Sequence, residues 1–471
     1  MLNELQSNIG AGDEIFFVTC SRSFNRCGFN LYGLKYACDL CEHRLRENLP
    51  LVEGKYKHLK LEDLIRPEDV RDAQAFQASL RNIDSGVFYK TFDVGDSVLS
   101  SYISKTRDKD LTQDEHYPAL KELTGYACMV YTAVTRFLKD EGIDEVILFN
   151  GRWDYYRAVL RATQEANIKC RVVENFRSGG FIEVFDSSFP HSIKNKQLNF
   201  DTTWNNAGIP EAEKATIGSQ FFERKRNGEV IVDKSYTGMQ QKNQLPEGID
   251  RSKKLVVIFN SSDDEFAAVG DEYKNPFFTD QSEGITWLVN LFGKELTDFE
   301  LVVRMHPNLL GIQYAYAQDL YALEGLYSNV HIIKPESKVD SYALLDVAYK
   351  VITFGSSIGV ESTYWGKPVI LLAKAYYSMA DVAHVPASRD AIRQMILTDL
   401  EPKPKLNAIK VGYYFLRGGI KATHYDYEYK KKYFFKGRRI DVLPKTLRVY
   451  YKILKTLKLK NRKTALLREK R

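Results

Sequence analysis

Three polar segments each follow a short apolar run: Asn260-Ser261-Ser262 after LVVIF, Arg304-Met305-His306-Pro307 after ELVV, and Gly355-Ser356-Ser357, with Glu361 four residues on, after VITF. In an open parallel sheet, ligands bind beyond the carboxyl ends of the strands, so the three segments are expected at one rim. Gly355 permits a tight turn, and Ser356 or Ser357 suits the start of a helix, whose free N–H groups and partial positive charge attract a phosphate. Glu361 brings acceptor oxygens for sugar or ribose hydroxyls. Arg304 and His306 alternate at a strand end and are expected on the same face. The first offers a fork for phosphate and the second a donor to a phosphate or a departing oxygen. The pattern fits a seat for a nucleotide diphosphate.

A second set lies in the first half of the chain. The run EVILFN ends at Asn150 and continues Gly151-Arg152-Trp153-Asp154, and the next apolar run ends at Glu174. Asp154 and Glu174 are the carboxylates best placed to take a proton from an incoming hydroxyl. Asn150, Arg152 and Glu174 suit polar contacts to an acceptor, and Asp154 with His306 forms the expected catalytic pair. Cys20-Ser21-Arg22-Ser23 follows another apolar run and either binds an anionic acceptor or forms a surface turn. Cys20, Cys27, Cys38 and Cys41 fall within 22 residues. Their spacing fits no standard zinc signature, so a thiolate metal site and ordinary cysteines both stay open.

The elements that must hold these residues alternate. Residues 14–19, 145–150 and 170–174 read as strands, and 30–46, 61–81, 96–105, 117–139 and 153–165 as helices. Residues 186–252 are loosely patterned. Beyond them, strands at 255–260, 300–304, 330–333, 351–354 and 369–372 alternate with helices at 284–292, 313–323, 341–348 and 357–365. Such alternation implies parallel sheets and an α/β class with two Rossmann-like, doubly wound domains facing a cleft. The expected organisation is an acceptor domain over 1–190, a connection over 191–252, a donor domain over 253–400 and an extension over 401–471.

A chain of 471 residues, 44% apolar and 27% charged, is globular and long enough for two to three domains. Its longest apolar stretches, such as 255–259 and 368–373, fall far short of the ~20 residues of a membrane span. The start of the chain has neither a basic nor an apolar leader segment, so a protein retained in the cytoplasm is expected. Residues 430–471 hold 17 Lys and Arg against Asp441 and Glu469, while the remainder carries a net charge of −9. Leu443, Leu447, Tyr450, Leu454 and Leu457 recur at helical spacing, with Lys445, Arg448, Lys452 and Lys455 on another face. This is the pattern of a basic amphipathic helix, which either lies on an anionic membrane or packs on the body by its leucine face. No groove-reading motif accompanies the charge, so nucleic acid is not an expected partner.

The run from 302 to 372, with VVRMHPN, VDSYALLDVAYKVITF and GSSIGVESTYWGKPVI, resembles the donor-binding domain of GT-B glycosyltransferases. It is most similar to bacterial capsule and surface polysaccharide biosynthesis proteins, a group related to the capsule Kdo transferases, and VILFNGRWDYYRAVLRA resembles the same group. The resemblance implies that His306 with Pro307, and Ser356 with Ser357, contact a sugar nucleotide. The chain lacks the acidic Asp/Glu-Asp-Gly base motif of several sialyltransferases and the TDYSS form of teichoic-type polymerases. The implied activity is metal-independent transfer of a sugar from a CMP- or UDP-linked donor, held by Asn260, Ser261, Ser262, Arg304, His306, Ser356, Ser357 and Glu361, to a surface glycan. No cofactor is expected. The enzyme would sit on the inner face of the cell membrane, where the acceptor is lipid-linked. The alternatives are a sugar-nucleotide epimerase of the same shape and a non-catalytic member of a glycan-assembly complex. If the tail is a membrane device, removing 430–471 will abolish co-sedimentation with vesicles containing anionic lipid and leave binding to neutral vesicles unchanged; equal sedimentation with and without the tail overturns that role.

Overall fold

The computed structural model describes the chain except residues 23, 112, 232–236, 429–431, 451, 454–455 and 457–471. It divides into two compact units. The first comprises Met1–Asp63, Ser178–Phe181 and the described part of Lys421–Arg471, and the second Leu64–Arg177 and Ile182–Ile420. The division thus falls elsewhere than the segments read from the sequence.

In the first unit, helix α1 (Leu2–Ala11), strand β1 (Phe16–Thr19), helix α2 (Lys35–Asn48) and strand β2 (Lys57–Lys60) are followed by the short α3 (Leu61–Leu64). β1 and β2 pair in parallel, Phe16 opposite Lys57. The strands Tyr425–Glu428 and Lys432–Phe435 pair antiparallel, and the buried Phe435 packs with Leu5, Val52 and Phe17. β1 and β2 form a two-stranded sheet separate from the sheet that holds the strands Glu145–Phe149 and Lys169–Arg177. Residues 445–450 are helical. Leu454, Leu457 and Lys455, which complete the expected amphipathic pattern, lie outside the described residues. No helix among the described residues is long and apolar enough to cross a membrane.

The second unit opens with α4 (Pro67–Ser79), α5 (Val94–Thr106) and α6 (Gln113–Asp140). It continues through β3 (Glu145–Phe149), α7 (Asp154–Glu165), β4 (Lys169–Arg177) and β5 (Phe181–Asp186). β3 and β4 pair in parallel around a core of Leu148, Leu160, Cys170, Val172 and Phe185. Residues 191–252, read as a connection, hold two helices, α8 (Ile193–Asn205) and α9 (Glu211–Arg226). Ile193, Phe200 and Trp204 on α8 and Phe221 and Phe222 on α9 are buried. These narrow stripes on otherwise polar helices were too sparse to stand out by period.

Next come β6 (Lys254–Phe259), α10 (Gln281–Lys294), β7 (Phe299–Arg304), α11 (Ala315–Tyr321), β8 (Val330–Ile333), α12 (Ser341–Val347), β9 (Lys350–Thr353), α13 (Ile358–Tyr364), β10 (Val369–Leu371), α14 (Arg389–Leu397) and α15 (Lys405–Arg417). The five strands form one parallel sheet in the order β10-β9-β6-β7-β8. Val256, Ile258, Leu301, Val303 and Ile352 are fully buried, because helices cover a parallel sheet on both faces. The expected mixed α/β class with parallel sheets is the one observed. The strand order reverses beside β6, so the crevice of this sheet opens between the ends of β6 and β9.

Helices α9 and α15 approach through glycine. A Cβ on Gly412 would stand 2.4 Å from the Gly218 carbonyl oxygen and 2.7 Å from the Phe222 ring. Gly412→Ala is therefore expected to force the helices apart and lower stability by about 1–3 kcal/mol in urea denaturation; an unchanged midpoint would refute the close crossing.

Candidate functional site

The carboxyl ends of β6, β7 and β9 are tied together by short polar contacts. Asn260, 1% exposed, accepts the backbone N–H of His306 through Oδ1 at 2.7 Å, while its Nδ2 has no hydrogen-bond partner among the described residues. Ser261 donates its hydroxyl to the Phe354 carbonyl at 2.8 Å. Gly355 has φ 90°, in the region that favours glycine, and a Cβ there would stand 3.0 Å from the Lys374 carbonyl oxygen. The Ser356 N–H donates to Thr353 Oγ1 at 3.0 Å, and Tyr377 donates its hydroxyl to the Ser356 carbonyl at 2.7 Å. Ser357 precedes α13 without capping it through its side chain. The expected rim thus brings together Asn260, Ser261, Ser262, His306, Ser356 and Ser357.

His306 has a defined protonation. Burial, reinforced by the charge of Arg107, pushes its imidazole down to about 4, so it is neutral near pH 7. Nδ1 accepts the Asn308 N–H at 3.1 Å, which leaves the ring proton on Nε2. The side chain is therefore a neutral hydrogen-bond donor, suited to an oxygen that gains charge.

Two other expected donor residues are engaged elsewhere. Arg304, 3% exposed, donates to the Lys334 carbonyl at 2.6 Å and the Ser337 carbonyl at 3.2 Å. Its guanidinium ties down the loop after β8, because a buried cation must find acceptors and backbone carbonyls are what lies in reach. Glu361 is paired with Lys225 of α9 at 2.7 Å and receives the Tyr342 hydroxyl on its other oxygen. A long-range ion pair thus anchors the helix after the serines, where the sequence suggested a sugar contact.

On the side of β3 and β4, Asn150 sits at φ 62° and links its neighbours. Its Nδ2 donates to Glu174 Oε1, and its Oδ1 accepts the Arg152 N–H at 3.1 Å. Burial, with the nearby charge of Glu183, pushes the Glu174 carboxyl up to about 7, against the opposing hydrogen bond from Asn150. Arg152, 5% exposed, donates to the Glu265 carbonyl at 3.0 Å and to Ser104, and lies 3.3 Å from His191 Nε2. Glu265 Oε1 in turn accepts Asn308 Nδ2 at 2.8 Å. A polar chain therefore runs from Glu174 through Asn150, Arg152, Glu265 and Asn308 to His306.

Asp154 is held by α5. At the first turn of α7 it is 2% exposed, its N–H donates to Ser101 Oγ at 2.7 Å, and its carbonyl accepts Ser97 Oγ at 2.7 Å. It fastens α7 to α5. In the first unit, Arg22 is paired with Asp39 at 2.6 Å and with Glu42, and Ser21 bonds Glu62. Cys20, Cys27, Cys38 and Cys41 form no disulfide among the described residues, and no group of three or more potential metal ligands occurs among those residues.

Sequence reading missed Arg107, whose Nη2 donates to Ser262 Oγ at 2.9 Å and whose Nε pairs with Asp264 at 3.0 Å. It follows a helix and no strand, so the strand-end rule passes over it. It also missed His191, which stands beside Arg152, and Tyr273, which donates its hydroxyl to the His191 carbonyl at 2.7 Å.

Residues 244–406, which span the whole second sheet, match the family of capsule polysaccharide biosynthesis proteins. No curated protein matches the chain. Among solved structures, the β-Kdo 2,4-transferase KpsC of Thermosulfurimonas dismutans is 15% identical over 58% of this chain and 80% of that one, with a TM-score of 0.38. The β-Kdo 2,7-transferase KpsC of the same organism is 13% identical over 65% and 85%, with a TM-score of 0.36. The UDP-GlcNAc 2-epimerase of Methanocaldococcus jannaschii is 11% identical over 86% and 99%, with a TM-score of 0.29.

A carboxyl raised from its ordinary 4.5 to about 7 stabilises the fold fully below its unfolded value and loses that contribution as pH rises through about 7. The melting temperature is expected to fall between about pH 5 and about pH 8, and Glu174→Gln to shrink that fall. An unaltered pH profile in the variant would show that Glu174 titrates normally.

Proposed function

We propose, on the premise that residues 244–406 are those of a capsule polysaccharide biosynthesis protein, that the chain is a glycosyltransferase building a surface polysaccharide. The observation that carries the reading is the pairing of a neutral donor, His306, with a carboxyl raised into the neutral range, Glu174, at opposite ends of one polar chain. Ser356, Ser357 and the N–H groups at the start of α13 would hold the donor's phosphates beside Asn260 and Ser262. Glu174 takes the proton of the acceptor hydroxyl as the oxygen bonds the sugar carbon. The bond from that carbon to the phosphate breaks, and the nucleotide leaves with the electron pair. His306 Nε2–H donates to the leaving phosphate oxygen as its charge grows, a contribution made mostly in the transition state. Asn150 and Arg152 orient Glu174. No step in this reading is routed through a metal ion or cofactor.

The donor would be a CMP- or UDP-linked sugar and the acceptor a lipid-linked glycan. The basic segment from 430 would hold the enzyme on the anionic inner face of the cell membrane, with each cation near the surface contributing about 1 kcal/mol.

With CMP-, UDP- and GDP-linked sugars and a lipid-linked glycan acceptor, the wild type is expected to release free nucleotide only when acceptor is present. Glu174→Gln and His306→Ala should each lower the rate about 100-fold or more with nucleotide binding retained in the first. Interconversion of a soluble sugar nucleotide would assign an epimerase instead, and the absence of turnover with every donor would leave a scaffold of the assembly complex.

A further inference from the structure

Arg107 closes α5 in the left-handed region, at φ 63°, an uncommon conformation for a residue with a side chain. Its backbone is clamped from the second sheet. Tyr314 donates its hydroxyl to the Thr106 carbonyl at 3.0 Å, and Tyr316 donates to the Arg107 carbonyl at 3.0 Å. Two residues on, Lys109 pairs with Asp280 and stands 5.2 Å over the Tyr316 ring. The segment 106–109 is thereby held at the rim formed by the ends of β6 and β7, although it belongs to the helices before β3.

The guanidinium points along that rim. It grips Asp264 with two nitrogens, at 3.0 and 3.3 Å, and reaches Ser262 Oγ at 2.9 Å. Its side chain keeps 30% of its exposure, against 9% for Asp264, so the arginine is reachable from solvent where the carboxylate is enclosed. Ser262, bonded to both, immediately follows Ser261 and Asn260, and Arg107 is close enough to His306 for its charge to bear on the imidazole. A planar guanidinium accepts a carboxylate or a phosphate with the same two-pronged geometry.

We infer that Arg107 is a further anion-binding residue of this site, taking a phosphate group of a nucleotide, and that Asp264 is its internal competitor for the same fork. The inference rests on the glycosyltransferase reading for the identity of the anion. It adds a cation where Arg304 and Lys225 are committed to the Lys334 and Ser337 carbonyls and to Glu361. It also brings that cation from the first half of the chain, so that phosphate binding and the seam between the two sheets share one side chain. Because Tyr314 and Tyr316 fix the backbone beforehand, little ordering is required of the arginine when an anion arrives.

Removing the competitor and then the fork separates a binding role from a purely structural one. Titration calorimetry with CMP, UDP, GDP and inorganic pyrophosphate is carried out on the wild type, Asp264→Asn and the double variant Arg107→Gln/Asp264→Asn. The double variant avoids a stranded buried carboxylate, so its folding is protected. Asp264→Asn is expected to bind the favoured ligand several-fold more tightly than wild type, and the double variant about tenfold or more weakly than Asp264→Asn. If Asp264→Asn binds no more tightly, or the double variant equals Asp264→Asn, the inference is overturned while the glycosyltransferase reading stands. If no variant binds any of the four ligands, that reading falls and the inference with it.

Discussion

Three arginines from the first half of the chain converge on one loop of the second sheet, and the geometry of the site depends on that grip. Arg107 holds Ser262 and Asp264, Arg152 the Glu265 carbonyl, and Arg157, 1% exposed, the Ala268 carbonyl at 3.2 Å. A buried guanidinium without acceptors costs several kcal/mol, so Arg152 and Arg157 must find oxygen, and the loop after β6 supplies part of it. Arg157 is further fixed by Asp93 at 3.0 Å and by the Phe189 ring 4.6 Å away. The loop therefore takes its course from residues a hundred or more positions earlier. Hydrogen bonds to charged donors are individually modest, about 1.5–3 kcal/mol each, a scale that ligand binding energy can match.

The same burial sets the chemistry. Removing an imidazole from water disfavours its cation, and removing a carboxyl disfavours its anion, so one cause pushes His306 down and Glu174 up. The result is a neutral donor on one side and a carboxyl poised near neutrality on the other. Two asparagines position them without adding charge. Asn260 holds the His306 backbone, and Asn150 holds the Glu174 side chain and the Arg152 backbone.

Much of the second sheet was legible in the sequence because each strand is a short apolar run closed by polar or small residues. That pattern is enough to identify a strand covered on both faces. The helices α8 and α9 were not legible, since Phe200, Trp204, Phe221 and Phe222 are too few among polar neighbours to set a period. Strand-end logic sets Asn260, Ser261, Ser262, His306, Ser356 and Ser357 just beyond the ends of β6, β7 and β9, because the position of a residue beyond a strand follows from the strand itself. It did not distinguish the side chains that face the crevice from those that satisfy neighbours. Arg304 and Glu361 occupy suitable positions, yet their partners, the carbonyls of Lys334 and Ser337 and the ammonium of Lys225, come from other elements.

The sequence by itself determined the α/β class, the parallel second sheet and the polar rim, because periodicity, turn residues and strand ends are local properties of the chain. It also carried the capsule polysaccharide biosynthesis pattern over 244–406. Only the tertiary structure decided that Glu174 stands in the polar chain leading to His306, that Arg304 is a tether, and that Arg107 reaches the rim. Those roles depend on which charges end up buried beside which acceptors, at separations of 24 to 157 residues along the chain. Electrostatics acts through space, and spacing along a sequence holds no record of it until the fold has brought the groups together.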